Sequence, residues 1–240
     1  AEARDELCER LRVLGAATLY EARGASGALD SGIKPLDPGR RMAGPAFTVD
    51  MRPADNLMLH YALLKVQPGQ VLVVDCKGFL EAGPWGDVLT AQALKLGLAG
   101  LLIHGAVRDA ESIVTQGFPV FCRGLSIKGT AKHQPGRIEV PVHIGDTCIH
   151  PGDYVVGDRD GVVIVPAERV DAVVQCAEER EAKEAMMRQA IAQGATTAEL
   201  LGLTEVPFDT VDLHTAIPHD PNRRRDMKTL IHTSAVATLA

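Results

Sequence analysis

The sequence predicts a mixed α/β fold, because short apolar runs typical of β-strands alternate with segments of helical pattern. The strand-like runs occupy 46–51, 71–74, 101–104 and 119–121, and the helical patterns occupy 56–66 and 88–96. Alternation of this kind predicts parallel β-α units. With 240 residues, of which 46% are hydrophobic, the chain is long enough for one such domain with appendages.

The segments outside this alternation are interpreted in chain order. A leucine pattern over 4–23 predicts an opening helix. Three closely spaced strands are predicted at 142–144, 154–156 and 161–165, and their turns favour an antiparallel meander or a small barrel. A charged helix follows over 167–193, with Gly194 as its C-terminal cap.

The domain division predicted from these patterns is simple. Residues 1–195 form a single α/β domain, and residues 196–240 form an irregular C-terminal extension, because prolines recur there. We expect this extension to pack on the surface or on a neighbouring subunit.

Composition excludes several classes of function. The net charge of −6 and the isoelectric point near 5.8 argue against a nucleic-acid partner, which needs a concentrated basic face. No apolar stretch approaches the roughly 20 residues that span a bilayer, and no signal-peptide pattern opens the chain. The five cysteines include no CxxC pair, so neither a thiolate zinc site nor a disulfide framework is indicated. We therefore expect a cytoplasmic protein without a membrane partner.

The first stretch that indicates chemistry is the glycine-rich segment 78–90, between a strand and a helix. Glycine lets the backbone approach a ligand closely. The free N–H groups of Val88 and Leu89, at the start of the helix, would bind a carboxylate. The alternative is an ordinary strand-to-helix turn in which Asp87 is the N-cap.

The second stretch is 104–109, where Arg108 and Asp109 directly follow a buried strand. Both side chains are therefore expected at the C-terminal edge of the sheet, where open α/β sheets bind ligands. Arginine can clamp a carboxylate with two hydrogen bonds, and aspartate supplies the hard oxygen that Mg²⁺ or Mn²⁺ prefers. The alternatives are a plain ion pair between the two residues, or Asp109 capping the next helix.

Together the two stretches are more specific, because twenty residues separate Asp87 from Arg108 in a D-x20-R-D pattern. With this pattern the chain resembles the class II pyruvate aldolases that cleave 4-hydroxy-4-methyl-2-oxoglutarate and 4-carboxy-4-hydroxy-2-oxoadipate. These enzymes are relatives of the regulator of ribonuclease E activity A. The resemblance runs from about residue 11 to 193, and its motifs lie at 54–56, 83–89, 105–109, 157–163 and 181–184.

The resemblance implies roles at the metal and the pyruvyl group. Asp109 would hold Mg²⁺ or Mn²⁺ directly, with water filling most other positions. Arg108 would bind the pyruvyl oxygens, and Asp87 would orient a water on the metal. Asn56 would support the ligands around the metal.

The resemblance also implies binding groups around this centre. The segment from Gly86 through Val88 and Leu89 would hold the substrate carboxylate. In trimers of this family a glutamate near the end of the long helix reaches the neighbouring site, and Glu184 is at the matching position, with Glu181 one turn away.

A basic loop over 123–133 offers one more binding group. Its Lys132, beside His133, could meet the second carboxylate of a dicarboxylic substrate. A solvated loop is the alternative interpretation.

The resemblance also implies a fold and a function. The fold would be a three-layer α-β-β-α sandwich of the swivelling phosphohistidine-like kind, assembled as a homotrimer or homohexamer. The reaction would be cleavage of a small 2-oxo dicarboxylate to pyruvate plus pyruvate or oxaloacetate, with oxaloacetate decarboxylation as a side activity. The alternatives are a non-enzymatic ribonuclease-binding regulator and a dedicated oxaloacetate decarboxylase. A pure binding module would not need the full D-x20-R-D set.

Overall fold

The structure is a computed structural model, and it describes residues 2–203. Its helices are α1 Glu2–Leu14, α2 Ala16–Ala22, α3 Leu57–Ala62, α4 Asp87–Lys95, α5 Ala110–Gln116, α6 Val170–Ala192 and α7 Thr197–Leu200. Its strands are β1 Lys34–Pro35, β2 Met42–Asp50, β3 Val71–Phe79, β4 Gly100–Val107, β5 Val120–Cys122, β6 Gly124–Leu125, β7 Arg137–Ile138, β8 Val142–Ile144, β9 Thr147–Ile149, β10 Tyr154–Gly157 and β11 Val162–Val165.

The main sheet confirms the mixed α/β prediction. Its strand order is β1-β5-β4-β3-β2-β10-β11, and β2, β3, β4 and β5 run parallel with helices between them. Strands β10 and β11 continue this sheet in antiparallel pairing, whereas β8 and β9 form a separate two-stranded sheet. The predicted meander over 142–165 is therefore wrong in part, because its last two strands join the main sheet, where β10 pairs with β2 and β11 pairs with β10, instead of pairing with β8 and β9.

The two ends of the main sheet are linked through the short segment 28–34. Ala28 forms an antiparallel bridge with Val163 of β11, and a few residues later Lys34 pairs with Cys122 of β5. The sheet is thus nearly closed. Side chains alternate along each strand, so one face of every central strand is directed into this enclosure.

The interior and the two outer faces are all apolar. The inner cluster includes Val71 and Val73 of β3 with Val155 and Ile164 from the antiparallel strands. The alternate residues of β3 pack outward against α3, α4 and α5. Helices α1, α2 and α6 cover the outer face of β10 and β11. The predominance of Val, Leu, Ile and Ala in these clusters agrees with the low aromatic content of the chain.

Two helix predictions need correction. The opening helix is broken into α1 and α2 at Gly15, whose φ of +81° is left-handed, and Asp158 accepts a hydrogen bond of 2.8 Å from the N–H of Ala16. The helix predicted over 56–66 is shorter, since α3 ends at Ala62.

The end of the chain is only partly described. The charged helix is confirmed as α6, which a short 3₁₀ helix at Ala167–Arg169 precedes. The chain divides into two compact units between Arg188 and Gln189. In the second unit, α7 gives regular structure to the start of the predicted irregular extension, and the rest of that prediction lies outside the described residues. No helix within 2–203 has the length and apolar character needed to cross a bilayer.

Candidate active site

A cavity of about 280 Å³ lies at the C-terminal edge of β3 and β4. It is lined by Asn56, His60, Gly83, Pro84, Gly86, Asp87, Val88, Leu89, Arg108, Asp109, Gly129, Thr130 and Lys132. Every site residue predicted from the sequence lines this cavity, with the exception of Glu184. The structure therefore brings together residues from four separate segments of the chain.

The loop before α4 is fixed by a buried tryptophan. Trp85 is fully buried, its Nε1–H donates to Thr90 Oγ1 at 2.8 Å, and its ring stacks on Phe118 with a centroid distance of 6.2 Å. The C=O of Trp85 accepts a hydrogen bond of 2.9 Å from the N–H of Arg108. The loop after β3 is thereby held against the end of β4, and both reach the same cavity.

Asp109 is directed across to the neighbouring loop. It is at the N-cap position of α5 in a left-handed conformation with φ +58°, but its side chain makes no capping hydrogen bond. Its Oδ2 accepts instead from the N–H of Asp87 at 3.2 Å and lies 3.5 Å from Arg108 Nε. The capping alternative is thus wrong, whereas the ion pair with Arg108 is present.

Gly86 is required for this close approach. A Cβ atom added there would lie 2.4 Å from Asp109 Oδ2, closer than real contacts allow. Gly86 is also the N-cap of α4, so the alternative in which Asp87 is the N-cap is wrong, and Asp87 is the first helical residue.

The N-terminus of α4 offers free donors beside Asp109. The first N–H to reach an acceptor within the helix is that of Thr90, which donates to the C=O of Gly86 at 3.1 Å. The N–H groups of Val88 and Leu89 therefore have no acceptor within the helix. These free donors and the helix dipole together favour an anion.

The side-chain oxygen of Asn56 is a hydrogen-bond acceptor to which no described group donates. Its side chain is largely buried, and its Nδ2 donates to the C=O of Pro84 at 3.0 Å. This bond fixes the amide orientation, because only the nitrogen can face a carbonyl. Asn56 Oδ1 is buried and has no hydrogen-bond partner in the part of the chain that the structure describes. A buried acceptor of this kind calls for a donor from water or from a ligand.

His60 and Lys132 lie on a further part of the cavity lining. Partial desolvation lowers the pKa of the His60 imidazole, although the residue is exposed overall, and the nearby charge of Lys132 lowers it further. His60 was not among the site residues predicted from the sequence. Its position four residues after Asn56, on the same helical face, is the signal that could have identified it.

The donors in the cavity fit a hard cation that retains much of its water. Asp87 and Asp109 are the two carboxylates of the lining, and the unpartnered Asn56 Oδ1 suits a donor such as water. Within residues 2–203 no group of three or more His, Cys, Asp or Glu side chains could hold a metal. A cation at Asp109 would depend on water and substrate for its other ligands, as Mg²⁺ readily does.

Glu184 lies away from this cavity, on α6. Its carboxylate pairs with Arg180 at 3.0 Å and with Arg188 at 3.6 Å. Glu181 also pairs with Arg188, at 3.1 Å. The predicted role of Glu184 in a neighbouring subunit's site remains a prediction.

These features define a class of protein: a mixed α/β protein whose parallel strands end at a cavity suited to a carboxylate beside a hard cation. A family model for RraA-like proteins, described as Aldolase/RraA, matches residues 6–164. The chain belongs to the RraA-like family.

Relatives of the chain include a protein named as an aldolase and proteins named as inhibitors of RNA processing. A protein of Halalkalibacterium halodurans, named "Putative 4-hydroxy-4-methyl-2-oxoglutarate aldolase", is 39% identical over 163 residues, which are 68% of this chain and 78% of that protein. The solved structure of RraAS2 from Streptomyces coelicolor, described as an unusual member of the RNase ES inhibitor RraA family, is 33% identical. It covers 76% of this chain and 96% of its own, with a TM-score of 0.66. The RNA-processing inhibitor RraA from Thermus thermophilis is 29% identical, with coverage of 63% and 92% and a TM-score of 0.59.

The environment of His60 predicts its titration. We expect NMR to give the imidazole a pKa below the ordinary value near 6.5. The variant Lys132→Met should raise that pKa, because it removes a nearby positive charge, yet should leave it below the ordinary value, because the partial desolvation of the ring remains. An unchanged pKa in Lys132→Met would contradict the proximity of the two side chains. Lys95→Met, on the last turn of α4 and outside the lining, is the matched control.

Proposed function

We propose that the chain is a divalent-metal-dependent aldolase that cleaves 4-hydroxy-4-methyl-2-oxoglutarate or 4-carboxy-4-hydroxy-2-oxoadipate to pyruvate plus pyruvate or oxaloacetate. The observation that carries this proposal is the convergence of Asp87, Arg108 and Asp109 on one cavity. The name of the relative from Halalkalibacterium halodurans supports an aldolase within this family.

The reaction requires stabilisation of the negative charge that develops on the enolate oxygen. Retro-aldol cleavage breaks the C3–C4 bond, and its electron pair becomes the enolate of pyruvate. The guanidinium of Arg108 binds the pyruvyl oxygens and stabilises this enolate as it forms. The N–H groups of Val88 and Leu89 hold the C1 carboxylate at the N-terminus of α4.

The reaction also needs a base. The C4 hydroxyl loses its proton as C4 becomes the carbonyl carbon of the second product. Asp87 is the carboxylate of the lining that remains available for this task, since Asp109 is engaged by Arg108 and by the N–H of Asp87. Asp87 accepts the proton through an intervening water. Protonation of the enolate at C3 then completes pyruvate.

Asp109 would hold the divalent cation, Mg²⁺ or Mn²⁺, with Asn56 supporting the water around it. When bound, this cation supplies a Lewis acid that stabilises the same developing charge as Arg108. Oxaloacetate decarboxylation is proposed as a side activity, because loss of CO₂ from oxaloacetate leaves the same enolate.

The finer predictions about architecture and assembly belong to the same proposal. They are the three-layer swivelling phosphohistidine-like sandwich, the trimer or hexamer in which Glu184 serves a neighbouring site, and a cytoplasmic location. The proposed partner is a small 2-oxo dicarboxylate, with neither nucleic acid nor membrane. The proposed domain division is 1–195 with an extension over 196–240.

The competing function is a regulator that binds and inhibits a ribonuclease. The names of the relatives from Streptomyces coelicolor and Thermus thermophilis favour this alternative. A binding module of this kind has no need for a carboxylate held beside a guanidinium within a cavity. The dedicated oxaloacetate decarboxylase differs from the aldolase only in substrate.

Pyruvate release with and without a chelator tests the proposal and its rivals. We expect the chain to release pyruvate from 4-hydroxy-4-methyl-2-oxoglutarate and from oxaloacetate. EDTA should abolish both reactions, and added Mg²⁺ or Mn²⁺ should restore them. Release from oxaloacetate alone would favour the decarboxylase, release that resists EDTA would refute the metal, and no release from either substrate would refute the enzyme.

Asp87→Asn tests the base. We expect it to lower turnover about 100-fold or more, because the amide cannot accept the proton, while metal binding stays largely intact. Glu81→Gln is the control, since it makes the same change of acid to amide on an exposed carboxylate outside the lining. Turnover by Asp87→Asn equal to that of Glu81→Gln would remove Asp87 from the mechanism.

A further inference from the structure

Asp55 is a buried carboxylate that does not line the cavity. Its relative exposure is 2%, and the hydrogen bonds it accepts come from backbone groups. Oδ1 accepts from the N–H of Leu57 at 2.9 Å, and Oδ2 accepts from the N–H groups of His133 at 2.8 Å and Gln134 at 3.1 Å. Burial raises the pKa of Asp55, but these backbone donors outweigh it and hold the pKa below its usual value. The carboxylate is therefore charged and closely bound at neutral pH.

These bonds join two segments that are distant in sequence. One is the turn that starts α3, and the other is the loop over 128–134. A parallel bridge lies beside the carboxylate: the N–H of Asn56 donates to the C=O of Ala131 at 3.0 Å, and the N–H of Ala131 donates to the C=O of Ala54 at 2.9 Å. We call the Asp55 carboxylate with its three backbone donors the latch.

The latch lies outside the cavity lining and joins the two segments that form one wall of the cavity. The first segment carries Asn56 and His60, and the second carries Thr130 and Lys132, all four of which line the cavity. The loop is also tied to the opposite side, because the N–H of Gly83 donates to the C=O of Lys128 at 2.9 Å.

The chemistry of this wall suits a second carboxylate. Arg108 and Lys132 are the arginine and the lysine of the described lining, and Arg108 is assigned to the pyruvyl end. The proposed substrates carry a further carboxylate on C4, beyond the bond that breaks. His60, uncharged near neutral pH, adds a neutral N–H donor beside the ammonium group of Lys132.

We propose that Lys132 and His60 bind the carboxylate on C4 and that Asp55 is the positioning residue that fixes this pair. The inference rests on the proposed function, because it divides the same cavity between the two ends of the substrate. Pyruvate has no carboxylate beyond C3. A change in the latch therefore weakens binding of the whole substrate more than it weakens binding of pyruvate.

The test is steady-state kinetics of the full chain with Asp55→Asn. The substitution replaces one carboxylate oxygen with an NH2 group, which cannot accept the hydrogen bonds of the backbone N–H groups that face it. The loop over 128–134 is therefore held less firmly. We expect KM for 4-hydroxy-4-methyl-2-oxoglutarate to rise about tenfold, as expected for the loss of bonds to a charged group. We expect kcat and the inhibition constant of pyruvate to change less than about threefold. A defect in overall folding would instead raise the inhibition constant of pyruvate together with KM.

Two further variants make the test specific. Asp153→Asn is the matched control, because Asp153 is 5% exposed and accepts from the N–H groups of His150 at 2.8 Å and Ala167 at 3.1 Å, outside this cavity. It should lower thermal stability and leave KM unchanged. Lys132→Met should raise KM by itself, and adding Asp55→Asn to it should raise KM little further, because both changes remove the same contact.

The outcomes separate this inference from the proposed function. A wild-type chain that releases no pyruvate overturns the proposed function and the inference with it. If the wild-type chain is active, two results overturn the inference alone. One is an unchanged KM in Asp55→Asn. The other is a double variant of Asp55→Asn and Lys132→Met whose increase in KM equals the product of the increases in the two single variants. If Asp55→Asn does not fold, Gln134→Pro replaces it, since proline removes one donor of the latch at an exposed loop position. An unchanged KM in Gln134→Pro would then overturn the inference.

Discussion

The site depends on one hydrogen bond, from the N–H of Asp87 to Oδ2 of Asp109, which spans the gap between the ends of two parallel strands. At 3.2 Å it is a long bond, and it forms only because Gly86 has no side chain. It directs a carboxylate to the N-terminus of a helix that still has free donors. The result is a cavity in which the carboxylate of Asp109 can compensate the positive charge of Arg108 and of a cation, next to helix N–H groups that favour an anion.

The parallel part of the fold was predictable because its strands are buried on both faces and are therefore apolar throughout. The ends of the strands were harder to predict. Strand β3 continues past Val74 into Asp75 and Lys77, which break the apolar pattern. Asp75 is nonetheless buried, because its carboxylate accepts from the backbone N–H of Lys77 at 2.9 Å and lies 3.4 Å from His104 Nδ1. Pairing between polar side chains thus extends the strand where hydrophobicity alone predicts its end.

The antiparallel strands show a different limit. The apolar runs of β10 and β11 were visible in the sequence, but their partner was not. Tyr154 pairs with Pro45, more than a hundred residues away, and no local pattern selects that partner over the neighbouring β8 and β9. Within the site, the residues that follow strands or start helices were predictable from local patterns. Asp55 was not assigned a role, because its partners at His133 and Gln134 are backbone groups brought near only by the fold.

The claim on which everything else rests is that Asp109 holds a hard cation in this cavity. Electron paramagnetic resonance of Mn²⁺, titrated with wild-type protein and with Asp109→Asn, measures this directly. We predict that the wild-type chain binds Mn²⁺, that pyruvate strengthens the binding, and that Asp109→Asn weakens it at least about tenfold. Equal Mn²⁺ affinity in the two proteins would contradict the account.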